Sequence, residues 1–192
     1  MKNQLLKRIV SGAMFLLLMV GGLLLSEYAY LAVMAFVLVG AMSKFYKLMS
    51  PDRCRAGKVC MYCGALSFLI LAFCCRRFGL NTGWMSLSIL PVTLSFIFMI
   101  YDGRTDYDVN AAVFMPVAYI AVPVVSTLFL AFPEGNAYTP WILLSVFFMI
   151  WMSDVGAYCL GMAFGQRPDS RKLFPAISPK KSWAGFWGGM AL

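Results

Sequence analysis

The sequence predicts an all-α, polytopic integral membrane protein: a bundle of six spanning helices plus the start of a seventh, in one transmembrane domain over residues 1–192. Composition carries the first half of that prediction. Of the 192 residues, 61% are hydrophobic and only 12% charged, and the mean hydropathy is +0.79. Soluble domains hold about 45–50% apolar and about 25% charged residues, so a soluble class is excluded. Pattern carries the second half. The apolar residues fall in runs close to the roughly 20 residues a helix needs to cross the hydrocarbon core, and short loops between the runs hold most of the Lys and Arg.

Taken in order, the first span is about Ile9–Leu25. Lys2, Lys7 and Arg8 before it suggest a signal peptide, but the run is long for one and no small-x-small cleavage site follows before Glu27. Ser26-Glu27 is a tight connection to a second span, about Tyr28–Tyr46. A basic loop then carries Lys44, Lys47, Arg53, Arg55 and Lys58. The third span is about Val59–Cys75, closed by Arg76-Arg77, and the fourth about Trp84–Tyr101, with Pro91 inside it. The polar link 102–110 contains Arg104 and three aspartates. The fifth span, about Ala111–Phe132, is interrupted by Pro116 and Pro123. Proline is tolerated in a span where neighbours re-satisfy the freed carbonyl, so a kinked helix inside the bundle is expected.

Residues 133–136 make a turn, and the sixth span is about Trp141–Phe164. The loop 166–182 holds Arg167, Arg171, Lys172, Lys180 and Lys181; Trp183–Leu192 opens a seventh apolar segment. Because the chain closes inside that segment, it is expected to be an incomplete, truncated product. Counted by loop, all Lys and Arg except Arg76 and Arg77 fall on one side. Positive loops stay cytoplasmic, which puts the N-terminus and the 166–182 loop in the cytoplasm.

The net charge of +8 is therefore accounted for by topology and anionic headgroups, and no nucleic-acid partner is expected. Cys60-x-x-Cys63 invites a metal or redox reading. No second C-x-x-C follows among the six cysteines, and the chain has no histidine. Cys₂His₂ zinc and His-based catalysis are excluded, and both thiols read as small hydrophobes at the start of an apolar run.

Two features could carry chemistry. Asp154 is the one carboxylate inside a long apolar run. A charge at bilayer depth costs roughly 2.5–3.5 kcal/mol on insertion scales, so such residues turn inward and are commonly functional. Gly156 and Ala157 beside it, and the Gly161–Gly165 pair beyond, permit close helix approach. Asp154 could be a metal ligand, a group that positions a cation, or a structural hydrogen-bonding residue. The second feature is Ser178-Pro179-Lys180-Lys181-Ser182 ahead of Gly185, Gly188 and Gly189. It reads as a Ser-Pro turn that sets two ammonium groups at headgroup level, within reach of phosphate. The usual nucleotide loops, G-x-x-x-x-G-K-[ST] and G-x-G-x-x-G, are absent.

Asp154-Val-Gly-Ala-Tyr158, Gly161-Met-Ala-Phe-Gly165, the basic loop and Ser178-Pro-Lys-Lys-Ser-Trp-Ala-Gly-Phe-Trp-Gly-Gly189, in that order, resemble the bacterial phosphatidate cytidylyltransferases (CDP-diacylglycerol synthases). That family shows Asp-x-x-Ala-Tyr, Gly-x-x-x-Gly, then Ser-Pro-Lys-Lys-Thr-x-Glu-Gly-x-x-Gly-Gly. Here Ser182 stands for the threonine and Ala184 for the glutamate. The family's C-terminal His-Gly-Gly and Asp-Arg-x-Asp signature, whose aspartates are expected to bind Mg²⁺, would lie beyond Leu192.

The resemblance implies transfer of CMP from CTP to phosphatidic acid at a bacterial inner membrane. It implies Lys180 and Lys181 on phosphate, Ser178 and Ser182 orienting, Arg171 and Lys172 as further phosphate contacts, and Asp154 lining the cavity or touching metal. Asp154 and Lys181 are the catalytic candidates. CTP, phosphatidic acid and the bilayer are the implied partners, Mg²⁺ the implied cofactor, and a homodimer is left open. Little turnover is expected of residues 1–192 alone. A transporter or channel using Asp154 for ion coupling, and an inert truncated scaffold, are the competing readings.

Overall fold

A computed structural model describes residues 2–49, 55–101, 107–133, 135–167 and 170–191. Arg53, Cys54, Arg104 and Glu134 lie outside these. The chain forms two compact units, Met1–Pro140 and Trp141–Leu192. Among the described residues, five helices are long and apolar enough to cross a membrane: Glu27–Met49, Arg55–Phe78, Thr82–Tyr101, Ala111–Ala131 and Trp141–Phe164. Val10–Leu25 is a shorter apolar stretch of the first helix.

In the first unit, helices α1 (Lys2–Leu25) and α2 (Glu27–Met49) are separated by Ser26 alone. Its hydroxyl accepts the N–H of Ala29 at 3.1 Å, an N-cap that lets α2 start at once. Along α2 every fourth residue is buried: Tyr30, Met34, Leu38, Met42 and Tyr46. At 3.6 residues per turn that series forms one continuous stripe. Its two tyrosines end in polar contacts, Tyr30 Oη to Thr127 Oγ1 at 2.6 Å and Tyr46 Oη to the Val113 carbonyl at 2.9 Å.

Helix α3 (Arg55–Phe78) is packed by the next segment at Gly64, where a Cβ would lie 3.0 Å from Val92 Cγ2. That segment opens as a 3₁₀ helix, Thr82–Ser88, capped by Asn81, and becomes α4 at Ile89–Tyr101. Pro91 thus sits in the first turn of the α-helical part, where a missing N–H costs nothing. The interruption expected from Pro116 and Pro123 takes a specific form. Helix α5 (Tyr107–Pro116) passes into α6 (Val122–Ala131) through a π-helical turn, Val117–Ala121, the wide turn that accommodates displaced backbone bonds.

The two basic residues on the sparsely charged side are both engaged. Arg77 pairs with Glu27, and Arg76 lies over the Phe129 ring, 4.2 Å from its centroid. Beyond α6 the chain folds back so that the Tyr138 hydroxyl donates to the Leu23 carbonyl at 2.7 Å. Burial, and secondarily the charge of Glu27, push that phenol up to about 12.

The second unit holds α7 (Trp141–Phe164), a hairpin of β1 (Lys172–Phe174) and β2 (Ser178–Ser182), and α8 (Trp183–Ala191). Helix α7 has the bounds that the apolar run predicts. The hairpin is a departure from the expected basic loop: its strands pair antiparallel, Lys172 with Ser182 and Phe174 with Ser178. The expected turn at Ser178-Pro179 lies three residues earlier, at 175–177. Proline is tolerated in β2 because this two-stranded ribbon consists only of edges.

Candidate functional site

The second unit is built on glycine. Helix α8 runs antiparallel to α7, with Gly185 beside Gly161, Gly188 against the Gly156 carbonyl, and Gly189 against Ser153. A Cβ at Gly188 would lie 2.6 Å from the Gly156 oxygen, and one at Gly185 would lie 3.0 Å from the Ala157 oxygen. No side chain fits between these backbones, which is the small-residue packing that lets membrane helices touch. The Ser153 hydroxyl donates to the Gly189 carbonyl at 2.7 Å and pins the far end of the pair.

The hairpin is tied to the same helices at its feet. Ser182 is 4% exposed, and its hydroxyl accepts the Gly185 N–H at 3.3 Å, the position of an N-cap on α8. It nests against Gly165, which has no room for a Cβ there. The Gly165 carbonyl, just past the end of α7, accepts from Ser170 Oγ at 2.6 Å and from Lys172 Nζ at 2.7 Å. A cation on a helix C-terminus is favoured by the helix dipole. On the other side, the Trp183 N–H donates to the Arg171 carbonyl at 3.1 Å.

Between hairpin and helices is a cavity of about 510 Å³, within the roughly 300–1,000 Å³ usual for small-molecule sites. Its polar groups come from Lys180, Lys181, Ser182, Ser153, Tyr158 and Gln166. The rest of the wall is apolar, including Met162, Leu173, Phe186 and Met190. Among the described residues two ammonium groups and no carboxylate line it, so an anion with an apolar portion suits its electrostatics.

Of the residues singled out in the sequence, Lys180, Lys181 and Ser182 come together in this cavity. Ser178 pairs with Phe174 away from the feet; it, Arg171 and Lys172 are outside the lining. Lys172 is committed to the end of α7, and Arg171 contributes its backbone to the start of α8. Asp154 is exposed, one helical turn before Tyr158, and also outside the lining. Its carboxylate has no hydrogen bond or ion pair with another described residue. Ser153 and Gln166 are lining residues outside the motifs, and Tyr158 lies in the Asp-x-x-Ala-Tyr match without being a site candidate there; the glycine spacings around them were the available signal.

A metal centre is not assembled from these groups. Among the described residues, no three of His, Cys, Asp or Glu cluster as ligands. Mg²⁺ is usually held by one or two carboxylates together with waters and substrate phosphates. Among the described residues of this unit only Asp154 offers a carboxylate, and it lies off the cavity lining, so the described residues alone do not hold Mg²⁺ at the cavity.

The comparisons with known proteins extend beyond this site. A model described as the cytidylyltransferase family matches residues 6–192. The chain is 28% identical over 198 residues to a phosphatidate cytidylyltransferase of Staphylococcus epidermidis, an alignment covering 99% of this chain and 68% of that protein. It is 46% identical over 50 residues to the Pseudomonas aeruginosa protein of that name, and 50% identical over 50 residues to that of Haemophilus influenzae. Each of these short alignments covers 26% of this chain, and they span 17% and 16% of the respective relatives. No solved structure matches.

Proposed function

Because this chain belongs to the cytidylyltransferase family, we propose that it serves the transfer of CMP from CTP to phosphatidic acid in the membrane, releasing pyrophosphate. In that reaction a phosphate oxygen of phosphatidate attacks the α-phosphorus of CTP. A new P–O bond forms, the bond to the β-phosphate breaks, and pyrophosphate leaves with the electron pair. Two polyanions must be brought together, so the requirement is positioning plus charge stabilisation.

The observation that carries this reading is the placement of Lys180 and Lys181 on one cavity whose remaining wall is mostly apolar. The ammonium groups hold phosphate oxygens as point charges, and the apolar wall accepts the diacylglycerol portion from the bilayer. Ser182 acts through the start of α8, fixing the strand that bears both lysines. Mg²⁺ enters this reading only as the counter-ion that CTP carries.

Asp154 lies ten residues before the end of α7, about 15 Å down the helix. A carboxylate at that depth is sustained by water or a cation, so it is assigned to a polar path that continues the cavity into the membrane. By the positive-side rule the hairpin and N-terminus face the cytoplasm of a bacterial inner membrane, where CTP is available.

The test is transfer of label from α-labelled CTP to phosphatidate in nanodiscs, with CTP binding measured in parallel. It is run on this chain and on the chain extended by a relative's C-terminal segment. Labelled lipid from the extended chain, with binding lost in the Lys180→Ala/Lys181→Ala double variant, is expected. No labelled lipid from either protein, with CTP binding unchanged in the double variant, overturns the proposal.

A further inference from the structure

The tip of the hairpin has no part in the cavity. Residues Phe174, Pro175, Ala176 and Ile177 form an unbroken apolar run at the turn, and all four are exposed. Ile177 is 86% exposed and Phe174 58%. Such a run is normally broken by a polar residue on a water-facing turn. Around it the sequence from 167 to 181 supplies five basic residues against one acid, Asp169.

The position of the hairpin is fixed by its feet. The span Trp141–Phe164 ends at Phe164, and the next residue, Gly165, holds Lys172 and packs against Ser182. From Ser182 the chain turns back along α7 as α8. Both feet therefore stand at one face of the bilayer, and a strand of three residues carries the tip only about 10 Å from them. One headgroup layer is roughly 5–8 Å thick, so a hairpin of this reach that lies along the membrane keeps its tip within the interface.

From this we infer that the hairpin is a membrane-surface anchor whose partner is the anionic leaflet around the protein. Phe174 and Ile177 enter the headgroup–acyl boundary, while the flanking basic side chains sit at phosphate level. Apolar burial and attraction to anionic lipid act together in such interfacial elements. Unpaired apolar exposure at water depth has no compensating term, whereas at this depth it is favourable. The assignment holds whether or not the cavity takes CTP.

The experiment uses the unmodified chain in nanodiscs containing phosphatidylglycerol and a phospholipid bearing a photoreactive diazirine on its acyl chain. After illumination, adducts are mapped by peptide mass spectrometry. Adducts on 174–177 are expected, alongside those on the lipid-facing side of α7. The variant Ile177→Asp, which leaves both feet intact, is expected to lose most of its adducts at the tip. A tip without adducts while α7 carries them, which would leave the apolar run to a protein partner, overturns the inference. So does a tip labelled as heavily in Ile177→Asp as in the unmodified chain. Neither readout depends on CTP or on transfer, so failure here is separate from failure of the proposed activity.

Discussion

Gly165 and Ser182 are in such close contact that any side chain on Gly165 would occupy the place of the Ser182 hydroxyl. This contact joins the end of α7 to the last residue of the strand that carries both cavity lysines. Gly165→Ala is therefore expected to lower thermal stability in detergent by about 1–3 kcal/mol, the usual cost of forcing atoms into a filled site. Gly40→Ala is the control, since nothing lies within 4 Å of a Cβ at Gly40. Equal melting shifts for the two variants would contradict the described packing.

Ser182→Ala removes an N-cap and should cost roughly 1 kcal/mol, whereas Ser182→Thr keeps the hydroxyl and should lie near the parent. The loss should appear both in the melting temperature and in the affinity for CTP, because the capped turn positions Lys181. A stability change without any change in CTP affinity would confine Ser182 to folding.

Lys180→Ala and Lys181→Ala should each weaken CTP binding by about tenfold or more, from the roughly 1.5–3 kcal/mol of a charge-assisted hydrogen bond. The binding of the parent should also fall with added salt, as screening predicts. Titration of CTP against protein in nanodiscs at two ionic strengths checks both statements. Binding that is insensitive to salt and to either substitution would remove the lysines from the site.

Asp154→Asn keeps shape and removes charge. Under the proposed function it should reduce transfer by about tenfold, of the order expected when one charge interaction is lost, with insertion and melting unchanged. If transfer persists while ion flux in proteoliposomes depends on Asp154, ion coupling becomes the better assignment for that carboxylate.

Tyr138 provides a pH-dependent signature of the first unit. Its phenol is held near 12 in the folded chain against an ordinary value of 10.0. Between those values the folded state retains a proton that the unfolded state has lost, so stability should be full below pH 10 and decline as pH rises through 12. Unfolding measured across that range should show the loss, and Tyr138→Phe should reduce it. A tyrosinate absorbance step at pH 10 attributable to Tyr138 would contradict its burial against the Leu23 carbonyl.

Hydropathy located α7 to the residue because its apolar run is bounded by Pro140 and by Gly165. Helices α2 and α3 extend beyond their apolar runs, to Met49 and back to Arg55, since charged residues continue a helix readily past the hydrocarbon. The hairpin was not legible. Strands of three and five residues containing Lys, Ser and Pro carry little β-propensity, and their pairing depends on closure between α7 and α8. Lys180 and Lys181 were singled out from their setting before a glycine run, and both lie on the cavity lining. The lattice of Gly156, Gly161, Gly185 and Gly188 was legible only as permission for close approach. Which helices would meet there, and that Ser153 and Tyr158 would face the resulting space, required three dimensions.

Securing both ends of the hairpin has an entropic result. Lysines on a free loop would surrender motion when they seize a polyanion, at about 1–2 kcal/mol for each residue ordered. Here that freedom is already gone once Lys172 and Ser182 have found Gly165. Under the proposed function, capture of the ligand can then draw on charge attraction with little of it diverted to rigidifying the receptor, the advantage of preorganisation.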